Sequence, residues 1–352
     1  MNTVQNQSNH KAVAIWLLIG VGMIVIQVLL GGITRLTESG LSITEWKPIT
    51  GMLPPLSDSA WQLEFDKYKN TDQFKYVHQH FSLSQFKYIF FWEWFHRVWA
   101  RLLGIVFLVG FFYFIYKKKF TKPMIWPMVL LFFLGGIQGA IGWIMVKSGL
   151  VPEKYYVGHV ELTTHLVGAL GLLAYTLWFS LSLLVPDSKK VYHPFLKLFL
   201  KIILILLTVQ IIYGGFMAGL KAAITAPTWP DINGAIIPAN LFTDGTFINS
   251  IINNPITIHF IHRGIAYVLA LLILIWWWKS SAIKNNSLFS FFRNAAAGLV
   301  IAQVALGILT VLNATNKTSL IWLGVSHQFV AMVLLAVIVC LLYLLKKANR
   351  AQ

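Results

Sequence analysis

Acidic residues are scarce in this chain: 12 Asp and Glu among 352 residues, with charged side chains of both signs only 11% of the total and hydrophobic ones 57%. A water-soluble protein carries about 25% charged residues. So few charges cannot cover a surface facing water, and the excess apolar residues must face a bilayer. Cysteine is reduced to Cys340, which excludes an intrachain disulfide and any cysteine-based metal site. Proline is missing from the middle of the long apolar runs. Pro123, Pro127, Pro186, Pro194 and Pro255 stand near run ends, which argues against the broken mid-membrane helices of a transporter.

Eight runs of about 20 apolar residues are present, at about 12–31, 88–116, 123–146, 158–185, 198–220, 256–278, 290–312 and 320–345. They predict an all-α polytopic membrane protein of eight transmembrane helices. The first run is too long for a signal peptide and lacks a cleavage site, and no Arg- and Ser-rich transit peptide precedes it, so a bacterial plasma membrane is expected. Lysine and arginine number 28 and give a net charge of +16. Fifteen of them, from Lys11 through Lys117, Lys189 and Lys279 to Arg350, fall on the side of the termini. The short connections opposite hold only Lys147, Lys154, Lys221 and Lys317. Both termini are therefore expected in the cytoplasm. Orientation and anionic lipid account for the basic excess, so no nucleic-acid partner is implied. Two long connections, 32–87 and 221–255, lie on the outer side. The first carries Trp46, Trp61, Phe65, Tyr68, Phe74 and Tyr76 and reads either as a folded lid or as a helix lying at the interface.

The chain is internally duplicated. At an offset of 183, Gln27-x-x-x-Gly31-Gly32 matches Gln210-x-x-x-Gly214-Gly215, Trp46 matches Trp229 and Gly51 matches Gly234. Further on, His96-Arg97 matches His262-Arg263, Gln138–Gly142 matches Gln303–Gly307, and His165 matches His327, at offsets of 166, 165 and 162. Four spans doubled to eight predict two pseudo-symmetric four-helix bundles, residues 1–190 and 191–352, related by an axis along the membrane normal. Within this, Gln-x-x-x-Gly recurs at Gln27, Gln138, Gln210 and Gln303, once on each odd span. Small residues at this spacing allow close approach of a helix or a flat ligand, and a polar amide in a span usually faces the bundle interior.

Ionisable residues away from span ends are confined to the even spans: Glu93, His96, Arg97, Arg101, His159, Glu161, His165, His259, His262, Arg263 and His327. His96, His165, His262 and His327 each lie about seven residues from the outer start of a span, about 10 Å deep at 1.5 Å per residue. A lone buried histidine is readily explained by a hydrogen bond to a carbonyl. Four at matched depth, two per repeat, suit axial ligation of two haem irons, with glycines making room for the porphyrins. Without a C-x-x-C-H motif any such haem is held non-covalently. Zinc or copper would want three or four donors converging on one point, and single histidines also suit quinone or proton-path roles.

The repeats differ at one informative place. Glu93 precedes His96 by three residues, one turn along the same face, where the second half has His259. Glu93 reads either as the ion-pair partner of Arg97 or Arg101 or as a catalytic acid, base or cation stabiliser present only in the first half. Glu161, four residues before His165, suits an outer-sphere partner. Arg97 and Arg263 suit haem propionates or the membrane interface.

Over almost its whole length the chain resembles the haem A synthases. The resemblance is carried by Gln27-x-x-x-Gly-Gly-x-Thr-Arg35, Glu93-Trp-Phe-His96-Arg97, Thr164-His165, His259-Phe-Ile-His262-Arg263-Gly264 and Ser326-His327-Gln328. It implies that His262 and His327 ligate a haem b cofactor while His96 and His165 hold the substrate, haem O, with Glu93 beside it. The implied reaction oxidises a porphyrin methyl to a formyl group through hydroxylated intermediates, with water as oxygen source, and gives haem A for terminal oxidases. An external electron acceptor, a haem O synthase and a second copy of the chain are the implied partners besides lipid. Some members carry a cysteine pair in the first outer loop, absent here, which points to the branch that works without it. The competing expectation is a dihaem b-type cytochrome that only transfers electrons. It does not predict the exchange of Glu93 for His259.

Overall fold

The computed structural model describes residues 2–45, 50–239, 241–242 and 245–347, so Trp46 and Arg350 lie outside the described residues. In chain order its helices are α1 (Asn2–Leu36), α2 (Asp58–Lys69), α3 (Asp72–Tyr76), α4 (Leu83–Tyr116), α5 (Lys122–Gly149), α6 (His159–Leu184), α7 (Pro194–Gly219), α8 (Ala222–Thr225), α9 (Phe247–Asn253), α10 (Pro255–Ser280), α11 (Ser287–Leu312) and α12 (Lys317–Leu344). All but α2, α3, α8 and α9 are long and apolar enough to cross a membrane. The eight apolar runs thus correspond one to one with eight helices. Polar caps set where the helices start. Ser82 and Gln85 form a reciprocal capping box on α4, and Asn254, Asn286 and Asn316 each accept from a backbone N–H three residues into α10, α11 and α12. Pro123, Pro194 and Pro255 occupy first turns, where a missing N–H breaks no bond.

Helix and apolar run part company on the face of the long connections, hereafter the loop face. α4 starts at Leu83 rather than near 88, and α1 continues to Leu36, because a helix ends at its caps and hydropathy marks only what lies in lipid. The extra turns of α4 carry the first long connection. Phe65 and Tyr68 of α2 are buried against Phe86, Ile89 and Phe90 of α4, with Trp61 and Phe74 at the margin. Phe86 stacks at 5.0 Å from Phe65 and 5.3 Å from Tyr68. Of the two expectations for this connection, the structure therefore gives the folded lid.

One continuous core runs through α1, α6, α7, α10, α11 and α12, with Leu173, Leu200, Ile203, Trp276, Phe289 and Ile338 fully buried. In a bilayer, hydrophobicity does not press helices together, so contact follows from fit and small residues. Gly215 and Gly219 of α7 receive Thr163 and His159 of α6, and Gly32 of α1 receives the amide of Gln328 of α12, whose Nε2 donates to Val28 O at 2.9 Å. Helices of the first 190 residues are keyed directly to helices of the rest.

Candidate functional site

Each odd span pairs with the next even one, and each pair repeats one arrangement. The histidine of the even helix packs on the glycine of Gln-x-x-x-Gly: a Cβ built on Gly31, Gly142, Gly214 or Gly307 would lie 3.3, 2.7, 3.4 or 3.0 Å from His96, His165, His262 or His327. A side chain would clash with the ring at Gly142 and crowd it at Gly307 and Gly31, while at Gly214 it would meet the ring at ordinary contact distance. In three pairs the glutamine of the same motif meets the imidazole. Gln138 Nε2 lies 3.1 Å from His165 Nδ1 and donates to His165 O at 2.7 Å, Gln210 Nε2 lies 3.3 Å from His262 Nε2, and Gln303 Nε2 lies 3.1 Å from His327 Nε2. His96 makes no hydrogen bond with any described residue, and Gln27 Oε1 is buried without a partner.

The histidines come together in the pairs that the repeat suggests. His262 and His327 stand with ring centroids 6.5 Å apart and planes 67° apart, and His96 and His165 are near enough to interact electrostatically. Two imidazole nitrogens at about 2 Å from one metal would put their ring centroids a little over 6 Å apart. The second pair therefore fits a metal held axially between its rings. Buried polar atoms without partners cluster at the same place: Nδ1 of His262 and of His327, and Oε1 of Gln210 and of Gln303. Orphans at this density mark a site built for a group beyond the chain. Among the described residues no three His, Cys, Asp or Glu side chains converge as a metal site would need, so two opposed imidazoles are the ligation geometry on offer.

Level within the helices is less regular than helix starts suggested. His165 and His262 lie about two turns into α6 and α10, His96 nearly four turns into α4 and His327 nearly three into α12. Within each pair the glycine contact nevertheless sets the histidine at the level of its own Gln-x-x-x-Gly motif.

Glu93 is buried, and its carboxylate is saturated with donors. Oε1 accepts from Arg97 at 2.5 Å, and Oε2 accepts from Ser42 Oγ at 2.7 Å and from the backbone N–H of Ile43 at 2.9 Å. The ion-pair expectation with Arg97 is thus met. The partners at 42 and 43 had no sequence signal, since they come from a connection fifty residues away. Arg97 also donates to Ile43 O and Glu45 O, and Arg101 NH1 donates to Arg97 O. In the second half Arg263 Nε donates to His259 Nε2 at 2.9 Å, NH1 to Asp231 O at 2.7 Å and NH2 to Thr228 O. Glu45 and Thr228 are equivalent at the offset of 183, so in both repeats the arginine after the histidine clamps its own long connection on the loop face by backbone carbonyls. Glu161 stands in the first turn of α6, its carboxylate folded over Gly158, where the helix dipole favours an acid. His159 bonds Ile252 O at 3.0 Å, tying α6 to α9.

Comparison with known proteins agrees with this geometry. Residues 14–339 match the family model described as cytochrome oxidase assembly protein. A protein named heme A synthase from Rhodospirillum centenum is 41% identical over 342 residues, covering 96% of this chain and 89% of the relative. Proteins of the same name from Flavobacterium psychrophilum and Flavobacterium johnsoniae are 39% and 38% identical over 345 residues, covering 93% and 97% of this chain and 96% and 100% of theirs. The chain belongs to the cytochrome oxidase assembly protein family, within which the relatives it matches are named heme A synthases.

Proposed function

We infer that this chain is a haem A synthase in which the two histidine pairs have separate tasks. His262 and His327 hold haem b, and His96 and His165 hold haem O. The observation that carries this reading is the contrast at one position: Glu93, a buried carboxylate, stands one turn from His96, and neutral-capable His259 stands one turn from His262. Two histidine pairs alone would serve a dihaem cytochrome equally well. A carboxylate retained in one copy only is what chemistry at one site requires.

Haem b, when bound, supplies one-electron transfer. The chain supplies the rest. Gln210 and Gln303 orient the rings of His262 and His327, while Gly214 and Gly307 leave space on the opposite helices. With three donors already on its oxygens, Glu93 is held in a fixed position one turn from His96, which suits it to stabilise positive charge developing at the substrate methyl group. The methyl becomes a formyl group in two two-electron oxidations with water as the oxygen source, and the electrons leave to an acceptor outside the chain. The lid formed by α2 and α3 packs on the turns of α4 that lead into Glu93, against Phe86, Ile89 and Phe90. The protein lies in a bacterial plasma membrane with cytoplasmic termini, a reading supported by the fifteen lysines and arginines on the terminal side against four in the short connections opposite. Haem A is the product, and a haem O synthase and a second copy of the chain are its expected neighbours.

Glu93→Gln keeps one acceptor oxygen for Ser42 and Ile43, removes the charge and gives up the acceptor of Arg97. In cells making haem O it is expected to retain both bound haems and to lower haem A formation by about 100-fold or more, as read by extraction and chromatography. Normal haem A output from this variant would refute the role. His262→Ala and His327→Ala are expected to lose haem b, and an unchanged bound-haem spectrum in both would overturn the ligand assignment. Finding only haem b, near two per chain and indifferent to Glu93, would make the protein an electron-transfer cytochrome.

A further inference from the structure

Two of the eight spans are far less buried than the others. Within their most apolar stretch only 6% of residues are buried in α4 and in α5, against 22–50% in the remaining six. The cause is that α4 and α5 barely touch each other, whereas α10 and α11, the same pair in the second repeat, pack along one another. A connection of five residues joins α4 to α5, and the helices come together at that end. Phe107, Phe111 and Phe114 of α4, Phe120 of the connection and Met124 and Met128 of α5 close it. Above this plug the two helices leave a cleft, and behind the cleft stand His96, carried by α4, and His165, packed on Gly142 of α5. His96 is the one imidazole of the four with no hydrogen bond to its motif glutamine or to any other described residue.

The floor of the cleft differs between repeats in a way that its openness requires. At the offset of 165 that aligns Gln138 with Gln303, Gly135, Gly136 and Gly139 of α5 correspond to Val300, Ile301 and Val304 of α11. A Cβ on any of the three glycines would meet nothing within 4 Å, whereas Val300 is buried in the core. Gly135, Gly139 and Gly142 share one helix face, so the open strip runs from His165 toward the plug at Met128 and Leu131. From Gly142 to Leu131 is about 16 Å at 1.5 Å per residue, the scale of an extended farnesyl chain.

We propose that the cleft between α4 and α5, floored by Gly135 and Gly139, receives the farnesyl tail of the substrate and is its lateral route from the bilayer to His96 and His165. This rests on the haem O reading above. The tail is the occupant because the cleft is continuous with the histidine pair assigned to a farnesylated haem, and because beside the pair assigned to tail-less haem b the places of Gly135 and Gly139 are taken by Val300, buried in the core, and Val304, half-buried.

The test copies the second repeat into the first. Gly135→Val/Gly139→Val is purified from cells making haem O, its haems are extracted, and its first site is titrated with haem O and with haem b. The expected result is about a tenfold weaker uptake of haem O, little change for haem b at that site, and full haem b in the second site, which reports that the fold is intact. Unchanged haem O uptake overturns the proposal. So does an equal loss of both haems, which would mean that the valines merely narrow the histidine site. A change in co-purified phospholipid or in oligomeric state with haem O uptake intact would assign the cleft to lipid or to a second copy, and overturns it too. If the double variant does not accumulate, Gly139→Ala must show the same selectivity at smaller scale. Failure of the underlying reading looks different: His96→Ala would then leave haem O uptake by the otherwise wild-type chain unchanged.

Discussion

Gln303 holds His327 through a single amide contact of 3.1 Å, and Gln210 does the same for His262 at 3.3 Å. A neutral hydrogen bond of this kind is worth about 1 kcal/mol, so its role is to orient a ring rather than to stabilise the fold. Gln303→Leu is expected to weaken haem b retention by about fivefold and to alter the low-spin electron paramagnetic resonance signal, which reads the angle between axial imidazole planes. An unchanged signal would show that Gln303 does not orient the ring. At this scale much was legible: the histidines, the glycines that receive them and the glutamines were all visible as repeats. The ligands of Glu93 were not, because Ser42 and Ile43 belong to a connection without periodicity, and hydrogen bonds to backbone N–H leave no trace in residue type.

Helix crossings are governed by a few glycines. A Cβ on Gly219 of α7 would lie 2.4 Å from His159 Cβ and 2.8 Å from its Cα, so no rotamer change on α6 relieves the clash and the helices must separate. Gly219→Ala is expected to destabilise the protein by about 1–3 kcal/mol, seen as a lower thermal midpoint in detergent. Gly22→Ala on α1, where a Cβ meets nothing within 4 Å, serves as the control and should leave the midpoint in place. Equal effects of the two would show that crowding at the α6–α7 crossing is not the cause. The eight helices themselves were foreseeable from apolar runs, while their ends on the loop face, Leu36 of α1 and Leu83 of α4, were not. Which helices touch was not, and the short helices α2 and α3 became a lid only through Phe65 and Tyr68 meeting Phe86 and Phe90.

The molecule as a whole is tied on its loop face by one carboxylate. Glu38, just past α1, pairs with Lys221 before α8, lies 3.5 Å from Lys317 of α12 and 3.5 Å from His78 after α3, and accepts from Tyr156 at 3.1 Å. His78 in turn bonds Tyr68 of the lid at 2.7 Å. The hydrogen bond from His78, reinforced by Lys221 and opposed by burial, holds the Glu38 carboxyl well below the usual carboxylate range. A depressed folded-state value means that the stabilisation is fully present above the unfolded value, about 4.3, and is lost only as pH falls through the lower folded one. The lid is therefore expected to resist proteolysis between α2 and α4 down to below pH 4. Glu38→Gln should be cleaved there already at pH 7. Equal protection of wild type and variant at pH 7 would remove Glu38 as the tie. The number and order of spans, their polarity pattern and the ladder of histidine, glutamine and glycine were determined by the sequence alone, because hydrocarbon demands long apolar runs and makes each polar exception stand out. The saturation of Glu93, the Glu38 tie and the cleft between α4 and α5 were decided only by the tertiary structure. Helices inside a bilayer associate by shape and paired polar groups, and neither is written in hydropathy.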